Sequence, residues 1–384
     1  MAKVAVSTPV LQWAMERAGY TSAMLEPKFP KIQQWIQGQH QPTLKQLENF
    51  SKATRTPLGY FFLNAPPKED LPVPIFRTVD DGEITRPSPD LLETVYAMQR
   101  RQDWLREYLL ELGHEPLSFV GSFDTEASPI AVAAQMRQVL GLHDNWAAAH
   151  SSWEDALDFL RVAMEQAGIL VVFNGVVGNN THRSLDVQEF RGFVLIDQYA
   201  PLVFVNNKDA KAAKMFTLAH ELAHVFLGRG AIFDLKDMAP ADNDVEIYCN
   251  KVAAEFLVPE ARLRDCWPEA SQYDEPFAYI ARRFKVSPLV AARRAKDLRL
   301  LSRDEFFDFY NAYMTDERRT AGQGDGGGDF YRNQNLRVGK RFALIVAQAA
   351  KEGRLSYHEA YQLTGMYGST FDKYIASVEM GARP

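Results

Sequence analysis

The chain has 384 residues, of which 46% are hydrophobic and 24% are charged, and its formal net charge is −6. This is the composition of an ordinary globular protein with two or three domains, and its negative charge restricts any nucleic-acid binding to a local surface. Two cysteines make no disulfide framework, no apolar run reaches the ~18 residues of a membrane span, and no secretory signal is recognisable, so we expect a cytoplasmic protein without a membrane segment.

Residues 1–64 are predicted to form a small all-α module. Apolar spacing and the positions of glycine and proline predict helices over Pro9–Ala18, Pro30–Gly38 and Pro42–Ser51, with a weaker helical segment near Thr21–Leu25. Three apolar residues of the last helix are expected to face inward: Leu44, Leu47 and Phe50. Several short helices in so small a unit indicate a helix-turn-helix bundle.

This module is locally basic. Residues 1–62 contain seven Lys or Arg residues and three Glu residues, which gives a charge of +4 on an otherwise acidic chain. If the helix near residues 31–37 is the recognition helix, five side chains are candidates for DNA contact: Lys31, Gln33, Gln34, Gln37 and Gln39. The preceding segment is interrupted by Pro27 and Pro30, however, and this favours the alternative of a protein-binding or dimerisation module.

A proline-rich linker is predicted over residues 65–85, followed by a helical connector over 86–150. Proline at this density makes a semi-rigid spacer. Helices are expected at Ser88–Gly113 and Asp124–Leu142, and a further helix at Ser152–Ala167 begins the next domain.

The region 151–315 is predicted to combine a small sheet with helices. Short apolar runs predict strands at Ile169–Phe173, Phe190–Ile196 and Pro201–Val205. Strands that precede an active-site helix often form a sheet whose edge binds an extended peptide. The charged Arg191 in the second strand is expected to be a surface residue, and an inward-facing substrate or structural contact is the alternative.

The stretch after these strands contains His-Glu-x-x-His. Residues 211–227 contain no Pro or Gly, Gly228 follows as a left-handed C-terminal residue, and Asn206, Asn207 or Asp209 is expected to cap the start. Four-residue spacing puts His220 and His224 on one face of the helix, where both can bind one Zn²⁺, with Glu221 as the general base. Solvated histidines in a chance match are the alternative, but the surrounding residues are apolar and buried polar groups need a partner.

Glu246 is the candidate for the third ligand. It lies on a helix predicted over Asp242–Leu257 and ended by Pro259, and it would complete a His₂Glu site with a fourth position for water. Asn243 and Glu246 also fit a capping box, which is the structural alternative. Cys249 is a weaker ligand candidate, and Glu255 lies too far along the helix.

These motifs carry a resemblance to a known family. Residues 168–259 resemble the ImmA/IrrE family of zinc metallo-endopeptidases in four segments: Glu189–Phe193, Pro201–Asn206, Phe216–His224 and Glu246-x-x-x-Asn250-x-x-Ala253-Ala254-x-Phe256-Leu257-Val258-Pro259. The resemblance implies that His220, His224 and Glu246 bind zinc and that Glu221 is catalytic; Cys249 stands where the family usually has alanine. It also implies a protein substrate, namely a helix-turn-helix repressor whose cleavage derepresses phage, mobile-element or stress genes.

The N-terminal residues resemble an XRE-type helix-turn-helix domain, which is commonly joined to this peptidase. The matching residues lie in two segments, Pro30–Leu47 and Pro57–Phe62. The resemblance implies recognition of DNA, of the repressor or of a second copy of the chain.

Beyond the metal motif, helices at Tyr279–Phe284 and Ser287–Leu298 are expected to form a second small helix-turn-helix. The glycine-rich residues 316–329 are predicted to be a hinge. A C-terminal helical module over 330–384 would contain helices at Val338–Glu352 and Ser356–Leu363 and a basic run from Tyr331 to Arg341.

The sequence therefore predicts an α+β protein in which a helix-turn-helix module, a helical connector, a zincin-like metallopeptidase domain and a small helical module follow one another. Mn²⁺ or Fe²⁺ could occupy the same ligands as Zn²⁺. Three residues are open candidates for stabilising the oxyanion: Tyr248, His182 and Tyr199. The alternative functions are a DNA-binding regulator and a toxin–antitoxin or defence component, in which the zinc domain is a sensor or scaffold. The oligomeric state is left open.

Overall fold

The computed structural model describes residues 3–69, 87–229, 231–233, 244–315 and 330–381. The chain divides into two compact units: the described residues up to 69 together with 87–96, and the described residues from 97 onwards. The second unit spans most of the predicted connector and all of the predicted peptidase and C-terminal regions. The finer division into six parts stays a prediction.

The first unit contains short helices around an apolar core. Its elements are α1 (Thr8–Arg17), α2 (Ser22–Leu25), α3 (Ile32–Ile36), α4 (Leu44–Thr54), a 3₁₀ turn (Leu58–Phe62) and the start of α5 (Pro89–Glu111). Leu47 and Phe50 of α4 are buried as expected, whereas Leu44 is 46% exposed. Thr43 and Gln46 form a capping box, so Leu44 occupies the first helical position, outside the buried face.

The second unit contains a four-stranded sheet and a separate hairpin. The sheet strands are β1 (Leu170–Asn174), β4 (Gly192–Leu195), β5 (Leu202–Asn206) and β6 (Ala231–Phe233), and the hairpin strands are β2 (Val176–Val177) and β3 (Asn180–Ser184). The sheet order is β1-β5-β4-β6, with β1 parallel to β5 and the other pairs antiparallel. All residues of β1, β4 and β5 are buried, which explains their uninterrupted apolar sequences.

Twelve described helices follow α5 in this unit. They are α6 (Pro129–Val139), α7 (Trp153–Gln166), α8 (Lys211–Leu227), α9 (Asp244–Leu257), α10 (Glu260–Ala270), α11 (Pro276–Phe284), α12 (Pro288–Asp297), α13 (Arg303–Thr315), α14 (Phe330–Val338), α15 (Lys340–Lys351), α16 (Tyr357–Thr364) and α17 (Ser369–Gly381). None of the described helices is both long and apolar enough to cross a bilayer.

The helix predicted over Val338–Glu352 is confirmed as α15 (Lys340–Lys351), although it begins two residues later than expected. Gly339 has φ +81°, a left-handed value, and a Cβ there would lie 3.3 Å from Glu165 Oε1. The chain therefore turns between α14 and α15. Helices α10, α13, α14 and α17 and strands β2, β3 and β6 were not predicted.

The pair α11 and α12 has the expected connection, and more than half of the residues of α12 are buried. Ser287 caps α12 by accepting from the Val290 amide, as predicted. Six side chains of α12 are buried: Leu289, Val290, Ala291, Ala292, Arg294 and Ala295. A recognition helix needs an exposed face that enters the major groove, so α12 has a packing role.

Helix α8 is central to the unit and confirms most of its prediction. It ends at Leu227, Gly228 follows with φ +66°, and every side chain from Met215 to Leu227 is buried. It packs on β4, β5, α6 and α9. The predicted side-chain cap was wrong, because the N-cap residue is Ala210.

The three predicted capping residues have other partners. The Asp209 carboxylate accepts from Arg191 Nη1 at 2.8 Å, so Arg191 is part of an ion pair that ties β4 to the start of α8. Asn206 donates to the Phe190 carbonyl, and the Asn207 side chain accepts from Lys214. These contacts hold the start of α8 to the sheet in place of a cap.

Candidate metal centre

Two buried helices bring three side chains to one point. His220 and His224 of α8 have their Nε2 atoms 3.1 Å apart, and Glu246 of α9 places one carboxylate oxygen 3.0 Å from His220 Nε2 and the other 3.1 Å from His224 Nε2. The histidine side chains are fully buried and the glutamate side chain is 6% exposed. One ligand atom from each residue lies within 4.8 Å of the others, so the group could hold a metal ion.

The hydrogen bond of each Nδ1 atom determines whether the Nε2 atom of the same imidazole carries a proton or a lone pair. His224 Nδ1 lies 3.0 Å from the Arg229 carbonyl, which only accepts, so Nδ1 must carry the proton. His220 Nδ1 lies 3.1 Å from Asn250 Oδ1, an arrangement with the same consequence. In each neutral ring the Nε2 atom therefore carries a lone pair, and this lone pair is directed at Glu246.

The converging atoms are consequently all acceptors. Glu246 Oε1 has no hydrogen-bond partner among the described residues, although His224 Nε2 is only 3.1 Å away. Two lone pairs and a carboxylate at such distances repel one another unless a cation lies between them. This donor set fits a divalent metal, and two imidazoles with one carboxylate are the ligands that catalytic zinc sites use.

The electrostatics of the centre agree with this fit. Burial lowers the pKa of His220, against the opposing effect of Glu246, and this favours the neutral ring that a metal requires. A cation held between these groups would favour the ionised form of Glu246, since an opposite charge nearby lowers the pKa of a carboxyl group.

Glu221 is a second buried carboxylate, next to these ligands. It is fully buried, and neither of its oxygens has a hydrogen-bond partner among the described residues. Burial, and then the nearby charge of Glu246, raises the pKa of Glu221 well above its ordinary value. A buried carboxyl group without a protein partner is unusual, and it is suited to accept a proton from a small molecule.

Strand β4 lies directly against this carboxylate. A Cβ on Gly192 would lie 3.1 Å from Glu221 Oε1, 2.7 Å from Thr217 Cγ2 and 2.9 Å from the Phe204 carbonyl. Only glycine leaves room for this approach. No local sequence pattern indicates this role of Gly192, because Glu221 is remote along the chain.

Asn250 is the other residue that sequence reasoning did not assign. It lies one turn after Glu246 on α9, and its amide oxygen orients His220. The spacing of four residues from Glu246 is the signal that could have identified it.

The remaining candidates near the motif lie elsewhere. Three residues were candidates for stabilising the oxyanion. The Tyr248 hydroxyl donates to the Ala127 carbonyl at 2.8 Å, and His182 is exposed on β3. Tyr199 follows β4 at the end opposite Gly192. No contact in the described structure joins any of them to the centre. Cys249 is buried outside the ligand group, and Glu255 pairs with Arg294, as its distance along α9 predicted. Asn243, the partner in the alternative capping box, lies outside the described residues.

The five candidate DNA contacts lie in and around α3 in the first unit. Lys31, Gln33, Gln34, Gln37 and Gln39 are all exposed. Gln33 donates to the Ser22 hydroxyl at 2.7 Å. Desolvation, followed by the charges of Lys3 and Lys31, lowers the pKa of His40, so these two lysines lie near His40.

Comparison with known proteins supports the assignment of the second unit. Residues 164–296, about a third of the chain, match the family model described as "Peptidase_M78: IrrE N-terminal-like domain". The match includes His220, Glu221, His224 and Glu246 and indicates a metallopeptidase of the IrrE/ImmA type. Residues 338–377 match a model described as a domain of unknown function, DUF8813. A search of curated proteins gave no match.

Proposed function

We propose that the chain is a zinc-dependent endopeptidase in which His220, His224 and Glu246 hold the metal and Glu221 is the general base. The observation that carries this proposal is the convergence of three buried acceptor groups beside a buried carboxylate without a partner. The family match at residues 164–296 points to the same reaction class.

Each group of the chain has a distinct task in this reaction. Zinc in such a site supplies Lewis acidity, which polarises a carbonyl group and acidifies water. Glu221 takes a proton from the attacking water and returns it to the departing amine, and its raised pKa makes it a stronger base than an ordinary carboxylate. Asn250 and the Arg229 carbonyl keep the two imidazoles in the required orientation and tautomer.

The sheet offers a way to bind the substrate. Among the described strands, β6 pairs only with β4, the strand that lies against Glu221. An extended peptide that adds to such an edge is held by main-chain hydrogen bonds. We propose a protein substrate of the helix-turn-helix repressor class, on the basis of the family resemblance.

The decisive experiment compares the wild-type protein with Glu246→Gln and Glu221→Gln. We expect elemental analysis to find about one zinc per chain in the wild type and in Glu221→Gln but not in Glu246→Gln. The reason is that, of the two glutamates, Glu246 alone is proposed as a metal ligand. Cell extract incubated with each protein is then analysed for new peptide termini by mass spectrometry. We expect cleavage by the wild type alone and co-purification of the uncut substrate with Glu221→Gln.

Two results would contradict the proposal. A wild-type protein that takes up no transition metal under any loading condition would exclude the metallopeptidase. Metal binding with identical termini in wild-type and Glu221→Gln samples would instead favour the regulator or defence component in which the metal domain is a sensor. The presence of Glu221 argues against that alternative, because a scaffold needs the ligands but no base.

A role in DNA contact is proposed for the N-terminal module. The observation that favours it is the positive charge of Lys3 and Lys31, both near His40, together with the exposed glutamines in and after α3. Lysines can contact phosphates while glutamines bond to adenine in the major groove. A protein target, the repressor itself or a second copy of the chain, is the alternative for the same surface.

A further inference from the structure

The proposed function does not use a cavity that lies behind His220. It has a volume of about 560 Å³ and lies between the start of α6, the helices α8, α9 and α12 and the first residue of α10. Pockets that enclose a small organic ligand have volumes of about 300–1,000 Å³.

The cavity is separated from the converging metal ligands. Phe216, one turn before His220, and Asn250, which binds His220 Nδ1, both line it. His224, Glu221 and Glu246 do not line it. The ring of His220 and the amide of Asn250 therefore stand between this cavity and the site where a peptide bond would be cleaved.

Most of the cavity wall is apolar. The apolar lining residues are Pro129, Ile130, Phe216, Ile247, Ala254 and Val290. The acidic lining residues already have cationic partners: Glu255 pairs with Arg294, Glu260 with Arg264 and Asp297 with Lys296. The carboxylates of the wall are thus neutralised within the protein.

Two donors on α9 have no such partner. Lys251 is exposed and forms no ion pair with any described residue. The side-chain amide of Asn250 contacts His220 through its oxygen, and its Nδ2 atom has no hydrogen-bond partner among the described residues. The two residues are adjacent in sequence and both line the cavity. An apolar cavity with a cation and an amide donor at one side is complementary to an anion that has an apolar body.

We propose that this cavity binds a small carboxylic acid with an apolar chain or ring. Its carboxylate accepts hydrogen bonds from Lys251 Nζ and Asn250 Nδ2, and its apolar part lies against Phe216, Ile247 and Val290. Because the same amide group orients His220, the bound acid holds Asn250 in the orientation that the metal centre uses. The binding site itself does not depend on the peptidase reaction.

The test is a calorimetric titration of the full-length protein with octanoate and, separately, with the uncharged 1-octanol. We expect saturable binding of one octanoate per chain. Lys251→Gln should weaken octanoate binding by about threefold to tenfold, as loss of a charge-assisted contact does, and should leave octanol binding unchanged. Ala254→Trp, which fills the cavity, should abolish binding of both.

Matched substitutions on the exposed face of α17 control for non-specific effects. Lys373→Gln and Ala376→Trp should bind both compounds as the wild type does, since neither residue lines the cavity. Absence of saturable octanoate binding would overturn the proposal. Undiminished octanoate binding in Lys251→Gln would do so as well, even if Ala254→Trp failed to fold.

Discussion

The metal centre and the surface around α3 were both identified from short sets of polar residues, but the residues of the first are buried and those of the second are exposed. At the centre, His220, His224 and Glu246 are buried and their ligand atoms lie about 3 Å apart. Around α3, all five candidate residues are exposed, and only Gln33 has a defined side-chain partner among the described residues. Burial restricts polar groups to arrangements that satisfy one another, whereas an exposed group is satisfied by water in any arrangement.

This difference explains how much the sequence could predict. Local spacing predicts the end of α8 at Leu227 and the left-handed Gly228. The cost of buried charge predicts that the two histidines need a further ligand, and Glu246 lies with them in the structure. The roles of Gly192 and Arg229 depend on where a remote strand and a carbonyl group come to lie, which no local pattern encodes. The start of α8 was mispredicted for the same reason, because Asp209 pairs with Arg191 from β4.

The close approach of β4 to Glu221 gives the largest expected effect. Gly192→Ala places a methyl group 2.7 Å from Thr217 Cγ2, 2.9 Å from the Phe204 carbonyl and 3.1 Å from Glu221 Oε1, so the surroundings of the carboxylate must shift. We expect peptidase activity to fall by up to about 10²-fold, the loss that a 1 Å displacement of a catalytic group can cause. Metal content should be unchanged, because Gly192 contacts no ligand.

The measurement is the initial rate of cleavage together with elemental analysis on the same samples. Gly59→Ala is the control, because a Cβ on Gly59 would meet nothing within 4 Å. Full activity in Gly192→Ala would mean that the position of Glu221 is not critical, and it would remove the main distinction between the centre and an ordinary buried metal site.

Asn250 gives the next largest effect, on metal affinity. Asn250→Ala removes the acceptor for His220 Nδ1, and loss of such a contact weakens metal binding by about 10–100-fold. Asn250→Asp retains an acceptor oxygen and should bind metal at least as tightly as the wild type. Competition with a chromogenic chelator measures both affinities. The exposed Asn311→Ala should have no effect, and an Asn250→Ala protein with wild-type affinity would refute the orienting role.

Glu221 should destabilise the metal-free protein in a pH-dependent manner. Its folded-state pKa is raised, so the folded protein binds a proton more tightly than the unfolded chain, and stability is lost as the pH rises from about 4.5 through the folded-state pKa. Glu221→Gln removes this loss. At pH 8 the variant should be more stable than the wild type by at least about 1 kcal/mol, the cost of a buried polar group without a partner.

Urea unfolding of chelator-treated proteins at pH 5 and pH 8 measures this difference. The advantage of Glu221→Gln should shrink at pH 5, where the wild-type carboxyl group is protonated. The exposed Glu107→Gln should show no advantage at either pH. An advantage for Glu221→Gln that does not change with pH would show that packing, and not charge, distinguishes the two proteins.

The smallest effect is expected at the surface around α3. If Lys31 contacts a phosphate, Lys31→Gln should weaken DNA binding to the same extent for all sequences and should reduce the slope of log affinity against log salt concentration by about 1. Gln34→Ala should instead weaken binding only to sites that contain the preferred base. Fluorescence anisotropy with a labelled duplex at several salt concentrations separates the two contributions, with Lys373→Gln as the control. If neither substitution changes DNA binding, the exposed residues of α3 have another partner, and the basic charge near Lys3 and His40 then has to be tested against a protein target such as the repressor.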